Sequence, residues 1–329
     1  NTKSAIKNLN IEDIYSIAFI NNVVLSIDEK LNIFSNRAVF EKNQNNSNVF
    51  LYPKEQDLCL FKYENNEITA KEARLDLESF NLFLKEPKGT IKNMLKKENT
   101  VSFRSDELFW HNFENAFLLS GHVNVIDPEF GIINSDEVEI IKKIKQNQLR
   151  KIISRKNTTI NFFSKNQTSL KTKGIIELDH EKKCISAFSS KNPKKSPSYQ
   201  DEDLVYKDLN VTIRAKRATL KYTDKNDVEK IILENSVRFI YQNQGYIGYG
   251  IADKIEYFPN EKNIKLISED DKKVLFWKED NSLNLSANEI HINQKEKNDI
   301  KGLGDVRFTF NLDEENLIHD IFSKYVSSE

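Results

Sequence analysis

Apolar and polar residues alternate with a period of two along most of this chain. The stretch from Val237 to Tyr241 reads Val-Arg-Phe-Ile-Tyr, and the stretch from Val306 to Phe310 reads Val-Arg-Phe-Thr-Phe. Turn-forming residues separate such runs, as in the Phe-Pro-Asn-Glu-Lys-Asn segment at 258–263. A strand and a turn about every 8–12 residues are typical of antiparallel all-β proteins. The sequence therefore predicts an all-β fold.

One order of strand-like phrases occurs twice, over residues 105–178 and 218–292. The spacing is the same in both copies, because the sequence separation between Val123 and Val237 equals that between Ser154 and Ser268. A weaker third copy is the pattern Ala-Lys-x-Ala-x-Leu, which occurs at 70–75 and again at 215–220. Repetition of short strands indicates a stacked or rolled sheet, because one unit cannot bury its own apolar face.

The pattern divides the chain into four predicted segments. We expect an N-terminal β-jellyroll unit over 1–188, a loop or linker over 189–203, and a C-terminal β-jellyroll unit over 204–310. The linker contains two prolines, which lack the N–H that a central strand needs. Residues 311–329 are predicted to form an amphipathic helix. Asp313 would cap that helix, and its apolar side chains would share one face: Leu317, Ile318, Ile321, Phe322 and Tyr325.

One further segment is ambiguous, because residues 137–150 carry a rough helical stripe. The repeat aligns them with residues 254–266, which alternate as strands do, so we assign them to a strand.

The composition limits the classes of function. Hydrophobic residues make up 38% and charged residues 30%, which suits an elongated sheet better than a deep spherical core. The net charge is −1 with both signs well mixed, so nucleic acid is not an expected partner. The chain begins with Asn1, and we expect that a signal peptide or membrane anchor preceded it. Membrane contact is expected only through such an anchor.

No residue pattern predicts catalysis, a cofactor or a metal site. The five histidines share no metal-ligand spacing. The Gly-rich run 245–250 lies inside a strand pattern, so it does not predict a phosphate-binding turn, and 302–305 reads as a hairpin turn. Cys59 and Cys184 could form a disulfide in an exported protein, although two buried free thiols are favoured.

Five short motifs follow one another in the second copy. They are Ala-x-x-Ala-x-Leu-x-Tyr at 215–222, Ile-x-Leu-x-Asn-x-Val-Arg at 231–238, Gly-x-Gly-x-Ala-Asp-x-Ile-x-Tyr at 248–257, Leu-x-Leu-x-Ala-x-x-Ile-x-Ile at 283–292 and Ile-Lys-Gly-x-Gly-x-Val-Arg-Phe at 300–308. In this order they resemble the OstA-type domain of bacterial lipopolysaccharide-transport proteins, the LptA and LptC group and the periplasmic part of LptD. The first copy resembles the LptC variant. The chain is about twice as long as a single-domain member of that family.

The resemblance implies an open, twisted β-jellyroll (a "β-taco") in the periplasm that holds the acyl chains of lipopolysaccharide. It also implies edge-to-edge docking with other jellyroll-domain transport proteins, and it requires no catalytic residue, cofactor or metal. The alternation selects the candidate groove-lining residues, whose polar neighbours such as Arg238 and Arg307 would face the opposite side. These candidates are Val123, Val125, Val237, Phe239, Tyr241, Val306, Phe308 and Phe310.

Two other classes of function remain open at this stage. A structural β-solenoid or envelope scaffold would have both sheet faces closed by packing and no lipid cargo. An enzyme or glycan-binding β-protein would need a polar cleft with converging carboxylates and exposed aromatic side chains. A transporter would instead keep an apolar groove open at one end.

Overall fold

The computed structural model describes residues 15–310 with internal gaps. The gaps are residues 28–29, 44–45, 56, 64–65, 94–98, 112–114, 129, 143–148, 164–166, 191–203, 224–227, 244–245, 270–271, 281–282 and 294–298. The predicted C-terminal helix at 311–329 lies outside the described residues, and so does most of the predicted linker at 189–203.

The described residues contain strands and no helix, which confirms the all-β prediction. The first fourteen strands are β1 (Ser16–Ile27), β2 (Leu31–Asn43), β3 (Asn46–Tyr52), β4 (Cys59–Tyr63), β5 (Asn66–Ala70), β6 (Glu72–Asp76), β7 (Leu82–Lys85), β8 (Lys88–Asn93), β9 (Asn99–Arg104), β10 (Glu107–Trp110), β11 (Ala116–Asp127), β12 (Gly131–Lys142), β13 (Leu149–Arg155) and β14 (Thr158–Phe162). The remaining strands are β15 (Ser169–Thr172), β16 (Ile175–Asp179), β17 (Cys184–Phe188), β18 (Leu204–Lys207), β19 (Val211–Ala215), β20 (Arg217–Tyr222), β21 (Val228–Asn243), β22 (Tyr246–Phe258), β23 (Asn263–Ile267), β24 (Val274–Lys278), β25 (Leu283–Ala287), β26 (Glu289–Asn293), β27 (Asp299–Leu303) and β28 (Arg307–Phe310). The described parts of the ambiguous segment, residues 137–142 and 149–150, belong to β12 and β13, as the assignment to strand predicts, and residues 143–148 lie outside the described part of the chain.

The chain forms two compact units. The first contains residues 1–163 and 171–183, and the second contains residues 164–170 and 184–329. In this division residues 184–188, which the sequence analysis places in the N-terminal unit, belong to the second unit. The reason is that β17 pairs along its whole length with β20, which belongs to the second unit.

In each unit the antiparallel sheet is bent into two halves, which we call arm A and arm B. In the first unit the order is β1-β2-β3-β6-β7-β10-β11-β12-β13-β16 in arm A and β1-β2-β4-β5-β8-β9-β11-β12-β14 in arm B. In the second unit it is β17-β20-β21-β22-β23-β26-β27 in arm A and β18-β19-β21-β22-β24-β25-β28 in arm B. The long strands therefore belong to both arms.

The long strands change arm at a bulge of two residues. Register shifts occur after Ile20 in β1, after Ser120 in β11 and after Glu234 in β21. Both residues at each bulge have positive φ, and they are Asn21 and Asn22, Gly121 and His122, and Asn235 and Ser236. Asparagine and glycine tolerate this region of φ, and bulges bend and twist a strand. Within each unit, the two arms meet at these bulges, and we call this border the corner. The border of each arm that lies farthest from the corner is its far margin.

Contacts of Asp106 hold the geometry of the bulge in β11. The Nδ1 atom of His122 lies 2.7 Å from Oδ2 of Asp106, and the N–H of Asp106 donates to the carbonyl of Gly121. The hydrogen bond to Asp106 and the charge of that carboxylate raise the pKa of His122. His122 is exposed at the surface.

The core of each unit lies between the facing sides of its two arms. In the first unit the rings of Phe103 in arm B and Phe117 in arm A are 5.4 Å apart, and both side chains are buried. Short strands follow the same alternation, since the residues of β20 are alternately exposed and buried. Cys59 and Cys184 are free thiols, and burial, with the charge of Glu72, raises the pKa of Cys59 to about 11.

The segment 302–305 corrects a prediction. It was expected to be a hairpin turn, but β27 pairs with β26 in arm A, whereas β28 pairs with β25 in arm B. Gly304 and Asp305 have positive φ, as residues of a tight turn do. They form a corner instead, because the strands on either side belong to different arms.

The bulge geometry leads to a stability prediction for Gly121. Its φ is +71°, and a Cβ atom built there would lie 2.3 Å from Oδ2 of Asp106. We expect Gly121→Ala to lower the free energy of unfolding by about 1–3 kcal/mol, because it combines an unfavourable φ with a clash. Urea denaturation measures the change. The control is Ser120→Ala, one residue earlier, and equal stability of the two variants would contradict this role of the bulge.

Candidate functional site

The interior of the second unit is lined by one row of residues that lie opposite each other on adjacent strands of arm B. Residues directly opposite in an antiparallel pair share a face of the sheet. In strand order the row is Tyr206, Ile213, Phe239, Gly250, Phe276, Leu285 and Phe308. Its exposed fraction rises from 1% at Phe276 to 9% at Leu285 and 62% at Phe308. The apolar interior is therefore closed in the middle and accessible at the end formed by β28.

Gly250 shows how closely the arms approach. A Cβ atom at this position would lie 3.1 Å from Cδ1 of Phe239 and 3.2 Å from Cδ2 of Leu266. Leu266 lies on β23 in arm A, so the side chain that is absent at Gly250 leaves room for the two arms to meet. The glycine thus belongs to a packed strand, and not to a phosphate-binding loop.

A polar cluster joins the far margins of the second unit. Asp208 follows β18 in arm B, and its Oδ1 accepts hydrogen bonds from the N–H groups of Asn210 (2.9 Å) and Val211 (2.8 Å). Its other oxygen accepts from the hydroxyl of Tyr206 at 3.4 Å, and Tyr257 of arm A also forms a hydrogen bond with Asp208. Burial, followed by the charge of Asp208, raises the pKa of both tyrosines. Both phenol groups therefore stay protonated at ordinary pH and can donate hydrogen bonds to Asp208.

A buried lysine joins the far margins of the first unit. Lys142 ends β12 in arm A, and its Nζ lies 4.9 Å from the ring centre of Tyr63 and 5.3 Å from that of Trp110. Tyr63 ends β4 in arm B, and its ring meets Trp110 edge-on at 4.9 Å. Lys142 is only 5% exposed, so the rings replace much of its solvent. Cation–π contacts of this kind are strongest where water is excluded.

A second pair of groups crosses the first unit nearby. His180 follows β16 in arm A, and its Nε2 lies 3.4 Å from Oδ2 of Asp127, the last residue of β11 in arm B. The ring of Phe130 meets His180 edge-on at 5.2 Å. Both members of the pair are buried. We call these three cross-arm groups the clasps, because each joins the two arms at the far margins.

The predicted groove-lining residues fall into two groups. Val123, Val125, Val237, Phe239 and Tyr241 are almost fully buried inside their units, with exposed fractions of 0–1%. In contrast, Val306 is 42% exposed, and the side chain of Phe310 lies outside the described part of the chain. Arg238 is half-buried and Arg307 is exposed, and the register places both opposite to the interior face. Whether any of these residues contacts a lipid stays a prediction.

Sequence reasoning missed the clasps. Each clasp joins residues that are far apart in the chain, and alternation gives no signal for such pairs. The only local signal is at Asp208, whose side chain bonds backbone groups two and three residues later, as aspartate often does in turns.

The described residues contain no group of histidine, cysteine, aspartate and glutamate side chains that could hold a metal ion. Within the same part of the chain, no helix has the length and apolar character needed to cross a membrane.

The second unit matches a known family. Residues 188–298 match the family model described as "LptA/(LptD N-terminal domain) LPS transport protein". This segment belongs to the OstA-type family of lipopolysaccharide-transport proteins. The match covers about a third of the chain and coincides with most of the two-armed second unit.

Other comparisons add little to this assignment. A search of curated proteins gave no match. Among solved structures, the chain is similar to LptH of Pseudomonas aeruginosa, described as the LptA-homologous periplasmic component of the lipopolysaccharide transport device. The alignment has 10% identity and a TM-score of 0.36, and it covers 45% of this chain and 96% of LptH.

The clasp of the second unit can be tested with one hydroxyl group. We expect Tyr257→Phe to lower the free energy of unfolding by about 0.5–1.5 kcal/mol, because Asp208 loses a buried donor. We also expect greater binding of an apolar fluorescent dye, because the far margins would separate more easily. The control is Tyr249→Phe, which removes an exposed hydrogen bond to Glu279. If both variants bind dye equally, the hydroxyl of Tyr257 does not hold the arms together.

Proposed function

We propose that this protein is a non-enzymatic, periplasmic lipopolysaccharide-transport protein whose units carry acyl chains between their two arms. The observation that carries the proposal is the family match of the second unit, together with an apolar interior that becomes accessible at β28. The family is one of transport components and is not known for catalysis. Its members LptA and the N-terminal domain of LptD support a location in the periplasm.

The interior suits the chemistry of acyl chains. Each methylene group moved from water to an apolar surface gains about 0.8 kcal/mol, so a chain of about twelve carbons gains on the order of 10 kcal/mol. That gain exceeds the cost of separating a few side-chain contacts. The corner is held by continuous strands, whereas the far margins are joined by the clasps. We therefore expect the arms to open at the far margins and to pivot at the corner.

Two sets of exposed apolar side chains, on β1 and near β27 and β28, suit docking with other jellyroll-domain transport proteins. The exposed residues of β1 and its flank are Tyr15, Ile17, Phe19, Ile20 and Val24. Leu303, Val306 and Phe308 are exposed near β27 and β28. Strand addition at such edges uses backbone hydrogen bonds for affinity. Edge-to-edge docking of this kind would extend the interior from one protein to the next.

One observation favours a second candidate, a structural scaffold without lipid cargo. Most interior side chains are as buried as those of an ordinary core, and Gly250 sits where the arms touch. A packed core of this kind is all that a structural scaffold requires. The two candidates differ in whether lipid reaches the interior in cells.

A photo-crosslinking residue at Phe308 distinguishes them. Phe308 lies opposite Leu285 on the interior face, whereas its neighbour Thr309 lies opposite Asn284 on the outer face. We expect lipopolysaccharide adducts at Phe308 and few at Thr309, detected by immunoblotting after irradiation of cells. Equal labelling at the two positions, or none at Phe308, would favour the scaffold.

A further inference from the structure

The outer faces of the two arms of the second unit differ in charge. Basic and acidic side chains alternate on arm A and form salt bridges. These bridges include Lys230–Glu256 (2.8 Å), Lys254–Glu256 (3.0 Å), Lys265–Glu289 (2.6 Å) and Lys301–Asp299 (2.8 Å). This face has the mixed, self-neutralised character of an ordinary solvent-exposed sheet.

Arm B carries a different outer face. Two rows of opposite residues cross its strands in the order β18, β19, β21, β22, β24, β25 and β28. One row is Lys207, Thr212, Ile240, Tyr249, Trp277, Asn284 and Thr309, and the other is Val205, Arg214, Arg238, Ile251, Leu275, Ser286 and Arg307. We call these fourteen positions the basic face. They include four basic side chains and no acidic one.

Two of the basic side chains of the basic face are neighbours on adjacent strands. Arg214 and Arg238 lie directly opposite each other on β19 and β21. Like charges directly opposite on adjacent strands are destabilising. Among the described residues, two acids lie at the borders of the face: Glu279 accepts a hydrogen bond from Tyr249, and Asp305 binds Lys273 at 2.9 Å and interacts with the charge of Arg307. Within the two rows themselves, four side chains are basic and none is acidic.

Apolar side chains occupy the middle of the same face. Ile240, Ile251 and Leu275 are 39%, 45% and 44% exposed, although aliphatic side chains usually point inward in such a sheet. The rings of Tyr249 and Trp277 stack beside them with centres 5.8 Å apart. The face thus combines exposed aliphatic groups, two amphipathic aromatic rings and a surplus of positive charge.

We propose that the basic face docks on the surface of an anionic lipid bilayer. Arginine and lysine side chains would bind lipid phosphates, tyrosine and tryptophan would lie at the level of the headgroups, and the aliphatic side chains would enter the boundary with the acyl chains. The rows span six strand spacings, or about 29 Å, so the contact is broad and shallow, as a membrane surface requires. The proposal does not depend on lipid in the interior, and it would hold for a scaffold.

Vesicle sedimentation tests the proposal with the whole chain. We expect binding to vesicles that contain phosphatidylglycerol, little binding to vesicles of phosphatidylcholine alone, and release by added NaCl. The protein has two tryptophans, and Trp110 is buried in the first unit. A blue shift of tryptophan emission on binding should therefore come from Trp277 and disappear in Trp277→Phe.

Matched charge variants locate the binding surface. Arg238→Gln/Arg307→Gln removes two charges from the basic face and should weaken binding by roughly 30-fold. Arg217→Gln/Lys221→Gln removes two exposed charges from arm A and should change it little. Equal effects of the two double variants, equal binding to neutral vesicles, or no binding at all would overturn the proposal. Binding of polyglutamate but not of vesicles would assign the face to an acidic protein and would also overturn it.

An apolar variant separates this face from the interior. Ile251→Ser/Leu275→Ser should reduce vesicle binding while lipopolysaccharide crosslinking at Phe308 is retained. Loss of crosslinking with vesicle binding intact would contradict the separation of the two surfaces. Thermal melting confirms that each variant is folded.

Discussion

The two-armed units depend on one constraint, which is that the same long strands must serve both arms. The paired residues of positive φ in β1, β11 and β21 let each strand bend without leaving the sheet. Since the arms share strands, their apolar sides are brought face to face at the corner. Those sides are then buried because apolar and polar residues alternate along each short strand.

The two borders of a unit are held by different forces. Backbone hydrogen bonds continue through the corner, so separating the two arms there would disrupt the pairing of several strands at once. At the far margins, side chains such as Lys142, His180 and Tyr257 cross between the arms. A hydrogen bond such as that of Tyr257 contributes only about 0.5–1.5 kcal/mol, and a cation–π contact such as that of Lys142 about 0.5–2 kcal/mol, which is small beside the burial of an acyl chain. Because of this difference, we propose that acyl chains enter the interior where the two arms separate at the far margins.

Alternation predicted the strands and the interior face of positions such as Val123 and Phe239, because period two is a local property. It could not predict which arm a strand joins. The segment 302–305 has the glycine and aspartate of a tight turn, and both a hairpin and a corner use positive φ. Pairing of β17 with β20 and the contacts of Lys142 also join residues distant in sequence. Phe308 is 62% exposed on β28, and alternation does not reveal that exposure.

The most direct test of the account is the distance between the far margins of the second unit. The variant carries Asn210→Cys and Glu261→Cys for spin labelling, and Cys59 and Cys184 are replaced by alanine. Pulsed electron paramagnetic resonance then measures the distance between the label on arm B and the label on arm A. Both labelled positions are exposed, in turns at the far margins. The account predicts a longer distance when lipopolysaccharide is bound and recovery when it is removed. An unchanged distance in protein that has demonstrably bound lipopolysaccharide would contradict it, because the lipid would then lie outside the space between the arms.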